Sequence, residues 1–279
     1  MATLSYHEQK DIENIKKLRE LQKELPSFCS DFFRGIETST STRTRIAYAY
    51  DLKIFFQFLK TANPGTFDNP SHTLTPSDLE KLTVTDLEEY IDYLKCHPSD
   101  TNEDVINTER GLMRKVSSLR SFYSYFFRNE RIEKNPAALV RMPKLHEKEI
   151  IRLEIDEVAK LLDEVEEGDK LTEKQKLYHE RTKVRDLAMM SLLLGTGIRV
   201  SECVGLNIND IDLDTCGARV YRKGGKESVI YFSDEVRDVL EDYLDEREMI
   251  DAVPGNEDAL FLSMQRKRIN VRSVENLVK

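Results

Sequence analysis

The sequence predicts a two-domain fold: an all-α N-terminal domain followed by a mixed α+β domain that is mainly helical and has a small antiparallel sheet. Three observations predict it. Apolar residues recur at helical spacing between residues 6 and 129. Two β-branched and aromatic runs surround a Gly-Gly turn between residues 218 and 232, a pattern typical of a β-hairpin. Between these regions, residues 141–148 contain proline and lysine and few apolar residues, which indicates a linker.

We therefore expect domains at residues 1–143 and 154–279, joined by a linker at residues 144–153. The spacing predicts first-domain helices at residues 6–24, 43–60, 86–95 and 108–129, with a loop at 63–77. The apolar stripe expected to be buried on the 43–60 helix consists of Ile46, Tyr50, Ile54 and Phe58. Second-domain helices are expected at residues 156–166, 184–194, 234–249 and 272–278, with a charged connection at 168–180.

Composition restricts the class of protein. The 279 residues contain no apolar run approaching about eighteen residues and no signal-peptide core after Met1. We therefore expect a cytoplasmic protein with no membrane partner. The four cysteines are scattered, without CxxC pairs or companion histidines at ligand spacing, which favours reduced thiols over disulfides or a metal site.

The formal net charge of −9 argues at first against a nucleic-acid partner, because phosphate neutralisation usually needs an excess of lysine and arginine. The charge is unevenly distributed, however. Residues 110–152 contain eleven basic and four acidic residues, whereas residues 71–109 contain two basic and ten acidic residues. A basic face can therefore coexist with acidic ones. The alternative is that these charge blocks are solvated helix faces on an interaction scaffold that binds no nucleic acid.

The strongest local signal lies at residues 191–206, SLLLGTGIRVSECVGL, where an apolar run is broken at Gly195-Thr196-Gly197 and a helical pattern restarts at Arg199. A helix that ends on glycine and is followed at once by another helix presents backbone N–H groups and a cation at one place, which suits a phosphate. Arg199 is therefore a candidate anion-binding residue. The alternative is an ordinary solvated charge beside a common turn.

Three linked motifs follow one another in this region: GTGIRVSE, a D-I-D element, and a K-G-G-K-E hairpin. Their order resembles the catalytic domain of tyrosine recombinases, the phage-integrase and Xer-like family. The resemblance implies a core-binding (SAM-like) first domain and a catalytic second domain. It also implies that double-stranded DNA is cut and rejoined through a 3′-phosphotyrosyl intermediate without a cofactor. Other copies of the chain would be partners on DNA, in a tetrameric synapse.

The resemblance also assigns residues. Arg199 matches the family's phosphate-clamping arginine and Lys223 its general acid, with Lys226 as a rival for that role. Glu202 resembles the acidic residue that supports the clamp, although a helix-capping or surface role is the alternative. The residues expected to contact DNA are polar or basic and lie in a helix start, a basic helix and the hairpin: Thr42, Arg43, Thr44, Arg114, Lys115, Ser118, Arg120 and Arg222. On the basic helix, residues 108–129, the four side chains of this set are expected to lie away from the buried side.

One departure from the family is large. The family's His-x-x-Arg motif and nucleophilic tyrosine should lie downstream of Arg199, but none of the five histidines has an arginine three residues later. Tyr221, Tyr231 and Tyr243 precede the place of the missing motifs, so we expect them to be core or surface residues. The sequence thus favours a C-terminally truncated recombinase that is inactive alone. The alternative is a DNA-binding accessory protein without strand-exchange activity.

Overall fold

The structure, a computed structural model, describes residues 5–70, 72–98, 103–146, 149, 152–222 and 226–278. The chain forms two compact units, Met1–Glu149 and Ile150–Lys279. The division between them falls inside the segment predicted to be a linker, while the exact domain limits remain a prediction.

The first unit is mainly helical. Its helices are α1 (Tyr6–Lys23), α2 (Cys29–Gly35), α3 (Thr42–Ala62), α4 (Pro64–Phe67), α5 (Pro76–Leu79), α6 (Val84–Lys95) and α7 (Glu109–Arg128). Side-chain hydroxyls cap the N-termini of the two longest helices. Ser41 accepts a hydrogen bond from the backbone N–H of Thr44 in α3, and Thr108 accepts one from the backbone N–H of Gly111 in α7. The predicted helices at 43–60 and 108–129 are therefore confirmed, with small shifts at their ends.

Aromatic residues of α2 and α7 join the core of this unit. The ring centroids of Phe32 and Phe122 lie 5.2 Å apart, edge to face, and those of Phe28 and Phe126 lie 5.5 Å apart. All four rings are buried. This packing fixes α7 against α2, so the opposite side of α7 is the side available to a ligand.

The structure corrects three expectations for the first unit. The unit is not all-α, because strands β1 (Cys96–Pro98) and β2 (Asp104–Ile106) pair antiparallel. Strands of three residues are too short to show an alternating pattern. The predicted 63–77 loop contains α4 and α5. Tyr50 is exposed, because α3 buries the neighbouring stripe that includes Ala49, Leu52 and Phe56.

The second unit combines helices with one small sheet. Its elements are α8 (Ile155–Glu167), α9 (Glu173–His179), α10 (Lys183–Thr196), α11 (Val200–Cys203), β3 (Ile211–Asp212), β4 (Gly217–Arg222), β5 (Lys226–Tyr231), α12 (Asp234–Glu248) and α13 (Val271–Leu277). The strands form an antiparallel sheet in the order β3-β4-β5. The predicted hairpin is confirmed by the pairing of β4 with β5, with Arg222 opposite Lys226.

The core of the second unit lies among α10, α12 and the sheet, where Leu192, Leu240 and Val220 are buried. Helix α10 approaches α12 closely: a Cβ added at Gly195 would lie 2.9 Å from Cγ2 of Val236. Gly195 therefore permits a helix contact that a larger residue would obstruct. One expectation is wrong here, since the charged connection at 168–180 contains α9, which Thr172 caps.

None of the helices in the described ranges is long and apolar enough to cross a membrane. Among those same residues, no group of three or more histidine, cysteine or acidic side chains is arranged to hold a metal ion.

Candidate functional site

The turn between α10 and α11 places Arg199 at a helix start. Gly197 ends α10 in the left-handed conformation, with φ 65° and ψ 20°, and its N–H donates to the carbonyl of Leu193 at 2.9 Å. The chain then becomes extended at Arg199, the residue that precedes the first turn of α11. Because glycine adopts positive φ without strain, Gly197 allows this abrupt reversal.

Glu202 orients Arg199 through two hydrogen bonds. One oxygen of its carboxylate, Oε2, accepts from the backbone N–H of Arg199 at 2.9 Å, and the other, Oε1, accepts from Nη1 at 2.9 Å. The Glu202 side chain is 6% exposed, whereas that of Arg199 is 69% exposed. Glu202 is therefore a helix cap and an ion-pair partner at once, and it is not a surface residue.

This arrangement leaves most of the Arg199 guanidinium available. The group has five N–H donors, and the contact with Glu202 uses one of them. A buried carboxylate that holds one edge of the planar group restricts its rotation, so the free edge points in a limited set of directions. A phosphate bound there would meet a fork of donors that is already oriented.

The hairpin end carries the second set of predicted residues. Arg222 ends β4, Lys226 begins β5, and both are exposed. Lys223, the predicted general acid, lies outside the described residues, as do Gly224 and Gly225 of the turn. The roles assigned to these hairpin cations remain predictions.

Two of the tyrosines downstream of Arg199, Tyr243 and Tyr231, occupy a core and a surface position respectively. Tyr243 is buried, its hydroxyl donates to the carbonyl of Leu260 at 3.0 Å, and burial raises its pKa to about 12. Tyr231 is exposed on β5. A phenol that is buried and already hydrogen-bonded is poorly placed to attack DNA, so Tyr243 does not fit the role of nucleophile.

The first unit has a groove between the start of α3 and the solvent-facing side of α7, with a volume of about 610 Å³. We call it the basic groove. Its cations are Arg43, Arg110 and Arg114, and Thr44 and Ser117 contribute hydroxyl groups. Predicted DNA-binding residues from two separate segments are thus brought together. Thr42 is not among the lining residues; its hydroxyl accepts a hydrogen bond from Arg45 at 3.2 Å.

Three other predicted DNA-binding residues on α7 make internal contacts. The expectation that Lys115 and Ser118 lie away from the buried side of α7 was wrong, because both are buried. Lys115 Nζ donates to Asn107 Oδ1 at 2.6 Å, and the Ser118 hydroxyl donates to the Lys115 carbonyl at 2.9 Å. The reason is geometric: positions 115, 118 and 122 share one helix face, and Phe122 anchors that face in the core.

Arg120 has a comparable internal role. Its guanidinium donates to the carbonyls of Ala137, Ala138 and Val140 at 2.9–3.1 Å, which ties the segment after α7 to the helix. The DNA contacts predicted for Lys115, Ser118 and Arg120 therefore stay predictions, and the arginines of the basic groove are better-placed candidates.

Sequence reasoning missed Arg110 and Asp51. Arg110, Arg114 and Ser117 follow the i, i+4, i+7 spacing of a single helix face, so this face could have been recognised. Asp51 could not: its Oδ2 lies 2.6 Å from Arg114 Nη1, across 63 residues of sequence. The Asp51 side chain is 1% exposed and that of Arg114 is 46% exposed.

Comparison with known proteins addresses the family of the chain. A profile of the phage integrase family matches residues 151–279. The tyrosine recombinase XerC of Caldanaerobacter subterraneus subsp. tengcongensis is 35% identical over 263 residues, which covers 91% of this chain and 68% of that relative. The chain belongs to the tyrosine recombinase family. The family resemblance drawn from the sequence motifs is thereby confirmed.

Two solved lambda integrase structures share the fold. A lambda integrase dimer bound to a COC′ core site matches with a TM-score of 0.58 and 15% identity, covering 91% of this chain and 78% of that chain. A lambda integrase tetramer bound to a Holliday junction matches with a TM-score of 0.57 and 16% identity, covering 90% and 63%. At such low identities, the similarity is one of fold.

Proposed function

We propose that this recombinase chain binds double-stranded DNA and contributes to cutting and rejoining its strands through a 3′-phosphotyrosyl bond. The observation that carries the proposal is the exposed guanidinium of Arg199, held by buried Glu202 at the start of α11. A phosphoryl-transfer site needs a fixed cation at the phosphate, and this geometry supplies one.

In the proposed reaction, a tyrosine hydroxyl loses its proton to solvent and its oxygen attacks the DNA phosphorus. The bond from phosphorus to the 5′-oxygen breaks, and the 5′-oxygen takes up a proton to leave as a hydroxyl. Arg199 would stabilise the negative charge that grows on the two nonbridging oxygens. Lys223 would donate the proton, with Lys226 as the rival donor. A 5′-hydroxyl from a partner strand would then reverse the step and restore the phosphodiester, so no cofactor is required.

We further propose that the nucleophile is not among these 279 residues. The sequence has no His-x-x-Arg motif, and Tyr243 is buried and hydrogen-bonded. The chain would then supply the half of the active site that contains Arg199, and it would be inactive alone.

DNA and further copies of the chain are the proposed partners. The basic groove has exposed arginines on two helices, as a surface that contacts DNA phosphates requires. Self-association on DNA is supported by the shared fold with the lambda integrase tetramer on a Holliday junction.

A covalent-adduct assay on a nicked suicide DNA substrate tests the chemistry. The 279-residue chain should form no adduct, whereas a version extended with a family segment containing His-x-x-Arg and the tyrosine should form one. In the extended version, Arg199→Ala should abolish the adduct and leave DNA binding largely intact, because Arg199 acts mainly on the transition state. An adduct on the unextended chain would show that one of its own tyrosines is the nucleophile.

The same assay addresses the general acid. Lys223→Ala in the extended version should slow cleavage, and a substrate whose leaving 5′-oxygen needs no protonation should recover most of the rate. If that substrate restores the rate of Lys226→Ala and not that of Lys223→Ala, Lys226 is the general acid and the rest of the mechanism is unchanged.

A DNA-binding accessory protein without strand exchange is the second candidate. The basic groove favours it, since the groove lies within the first unit and could bind DNA without a nucleophile. Salt-dependent DNA binding together with no adduct in the extended version would support this candidate. Binding that does not weaken as salt rises would instead favour a scaffold with no nucleic-acid partner.

A further inference from the structure

We propose that Asp51 is a positioning residue, whose buried carboxylate holds the Arg114 guanidinium at the basic groove in the orientation that contacts a DNA phosphate. The proposal rests on the proposed function, because it requires the basic groove to bind DNA. It assigns a role in DNA recognition to an acidic residue that has almost no exposed surface.

The geometry separates the two ends of the ion pair. Asp51 lies on α3, is almost completely buried, and contacts Nη1 of Arg114 on α7 at 2.6 Å. The same nitrogen lies 3.4 Å from the carbonyl of Ala47. Nearly half of the Arg114 side chain remains exposed at the groove. One end of the guanidinium is thus fixed against α3, while the other end faces solvent.

The surroundings show that the ion pair is costly for the fold. Burial raises the pKa of Asp51, and the positive charges of Arg114 and Lys115 oppose that rise. Lys115 is itself held by Asn107, and the neighbouring Ser118 hydroxyl donates to a backbone carbonyl. Burying the Asp51 carboxylate carries a desolvation cost, and a partner that is itself half-exposed offsets only part of it, so fold stability alone explains this pair poorly. Orientation of the exposed guanidinium accounts for it better.

The alternative to positioning is a purely electrostatic effect, and it predicts the opposite sign. A carboxylate near a polyanion repels it, so removing the charge of Asp51 should strengthen DNA binding by charge alone. If Asp51 positions Arg114, its removal should weaken binding, because the arginine loses its fixed direction. The direction of one measured change therefore distinguishes the two roles.

The experiment measures binding of the full chain to a fluorescently labelled duplex of random sequence at several salt concentrations. Asp51→Asn should weaken binding and lower the salt slope by about 0.9, the value expected for one phosphate contact, and Arg114→Ala should do the same. In the Arg114→Ala background, Asp51→Asn should cause no further weakening, because both changes remove one contact.

Asp78→Asn is the matched control. Asp78 is another buried aspartate of the same unit, but it pairs with Lys81 and His72 and does not line the basic groove. This control removes the same charge and should not weaken DNA binding. Circular dichroism of every variant checks that the fold is retained.

A second variant avoids changing the interior. Arg114→Lys keeps the charge at a half-exposed position, but a single ammonium group is a poor substitute for a planar fork that must contact Asp51 and a phosphate together. Weaker binding by Arg114→Lys supports positioning, and unchanged binding contradicts it.

Two outcomes would overturn the proposal. If Asp51→Asn binds DNA as well as or better than the parent while Arg114→Ala binds worse, the groove binds DNA and Asp51 does not position Arg114. If Arg43→Ala, Arg110→Ala and Arg114→Ala all bind like the parent, the proposed DNA contact of the groove fails as well. The two failures are therefore distinguishable.

Discussion

The double variant Arg43→Ala/Arg110→Ala gives the most direct test of the basic groove. Both arginines are exposed, and neither forms an ion pair with any other residue that the structure describes. Their removal should therefore change DNA binding without disturbing the fold. Charge reversal at Lys115 is a poorer test, because Lys115 is buried and bonded to Asn107.

The expected magnitude follows from the number of phosphate contacts. Each contact contributes about 0.9 to the slope of the logarithm of affinity against the logarithm of salt concentration, so two lost contacts should lower the slope by about 1.8. Over a fourfold salt increase, from about 50 to 200 mM, the parent should lose about twelvefold more affinity than the double variant.

Fluorescence anisotropy with a labelled duplex at four or more salt concentrations measures this slope. Arg19→Ala is a suitable control, because Arg19 is an exposed arginine on α1 that does not line the groove. The control should reproduce the slope of the parent. A double variant with the parent's slope would refute the argument, because DNA would then contact another surface.

Three further predictions concern stability and catalysis. Burial alone would raise the pKa of Asp78, but hydrogen bonds from Lys81, Thr75 and His72 outweigh it and lower the pKa from 3.8 to about 2. The ionised carboxylate therefore stabilises the folded state at pH values above 3.8, its pKa in the unfolded chain, and this stabilisation is lost as the pH falls towards 2. In urea denaturation, Asp78→Asn should lower the free energy of unfolding by about 2 kcal/mol at neutral pH and by almost nothing near pH 2. Residue 197 has a positive φ, so Gly197→Ala should lower the free energy of unfolding by about 1 kcal/mol in the same denaturation experiment. Gly197→Asn should lower it less, because asparagine tolerates positive φ better than alanine does. Equal losses for the two variants would show that the backbone conformation is not the cause. Glu202→Gln in the extended protein should slow adduct formation at unchanged DNA affinity, and an unchanged rate would remove Glu202 from the support of Arg199.

The parts of the fold that could be predicted are those with local signals. The hairpin of β4 and β5 follows from β-branched runs around a glycine turn, and the break before Arg199 follows from Gly197. The ribbon of β1 and β2 gave no comparable signal, since its strands have three residues each. Periodicity also misplaced Lys115, because a sequence pattern does not show how many sides of a helix its neighbours cover.

The two carboxylate–arginine pairs show the same limit within the candidate sites. Glu202 lies three residues after Arg199, so a sequence motif can reveal that pair. Asp51 and Arg114 are brought together by the packing of α3 against α7, and nothing local to either residue indicates the other. Long-range ion pairs of this kind require the tertiary structure.

Both pairs also bear on how an acidic chain could bind DNA. With a net charge of −9, the chain as a whole has no surplus of basic residues with which to attract DNA. In each pair a buried carboxylate holds an exposed guanidinium, which lowers the local positive charge but restricts the direction of the remaining donors. A directed fork loses less conformational freedom on binding a phosphate than a free side chain does. A few oriented arginines can therefore replace a large basic surface. Because such a protein neutralises few phosphates, its affinity for DNA should fall less steeply with salt than that of a protein that binds equally tightly through many unoriented cations.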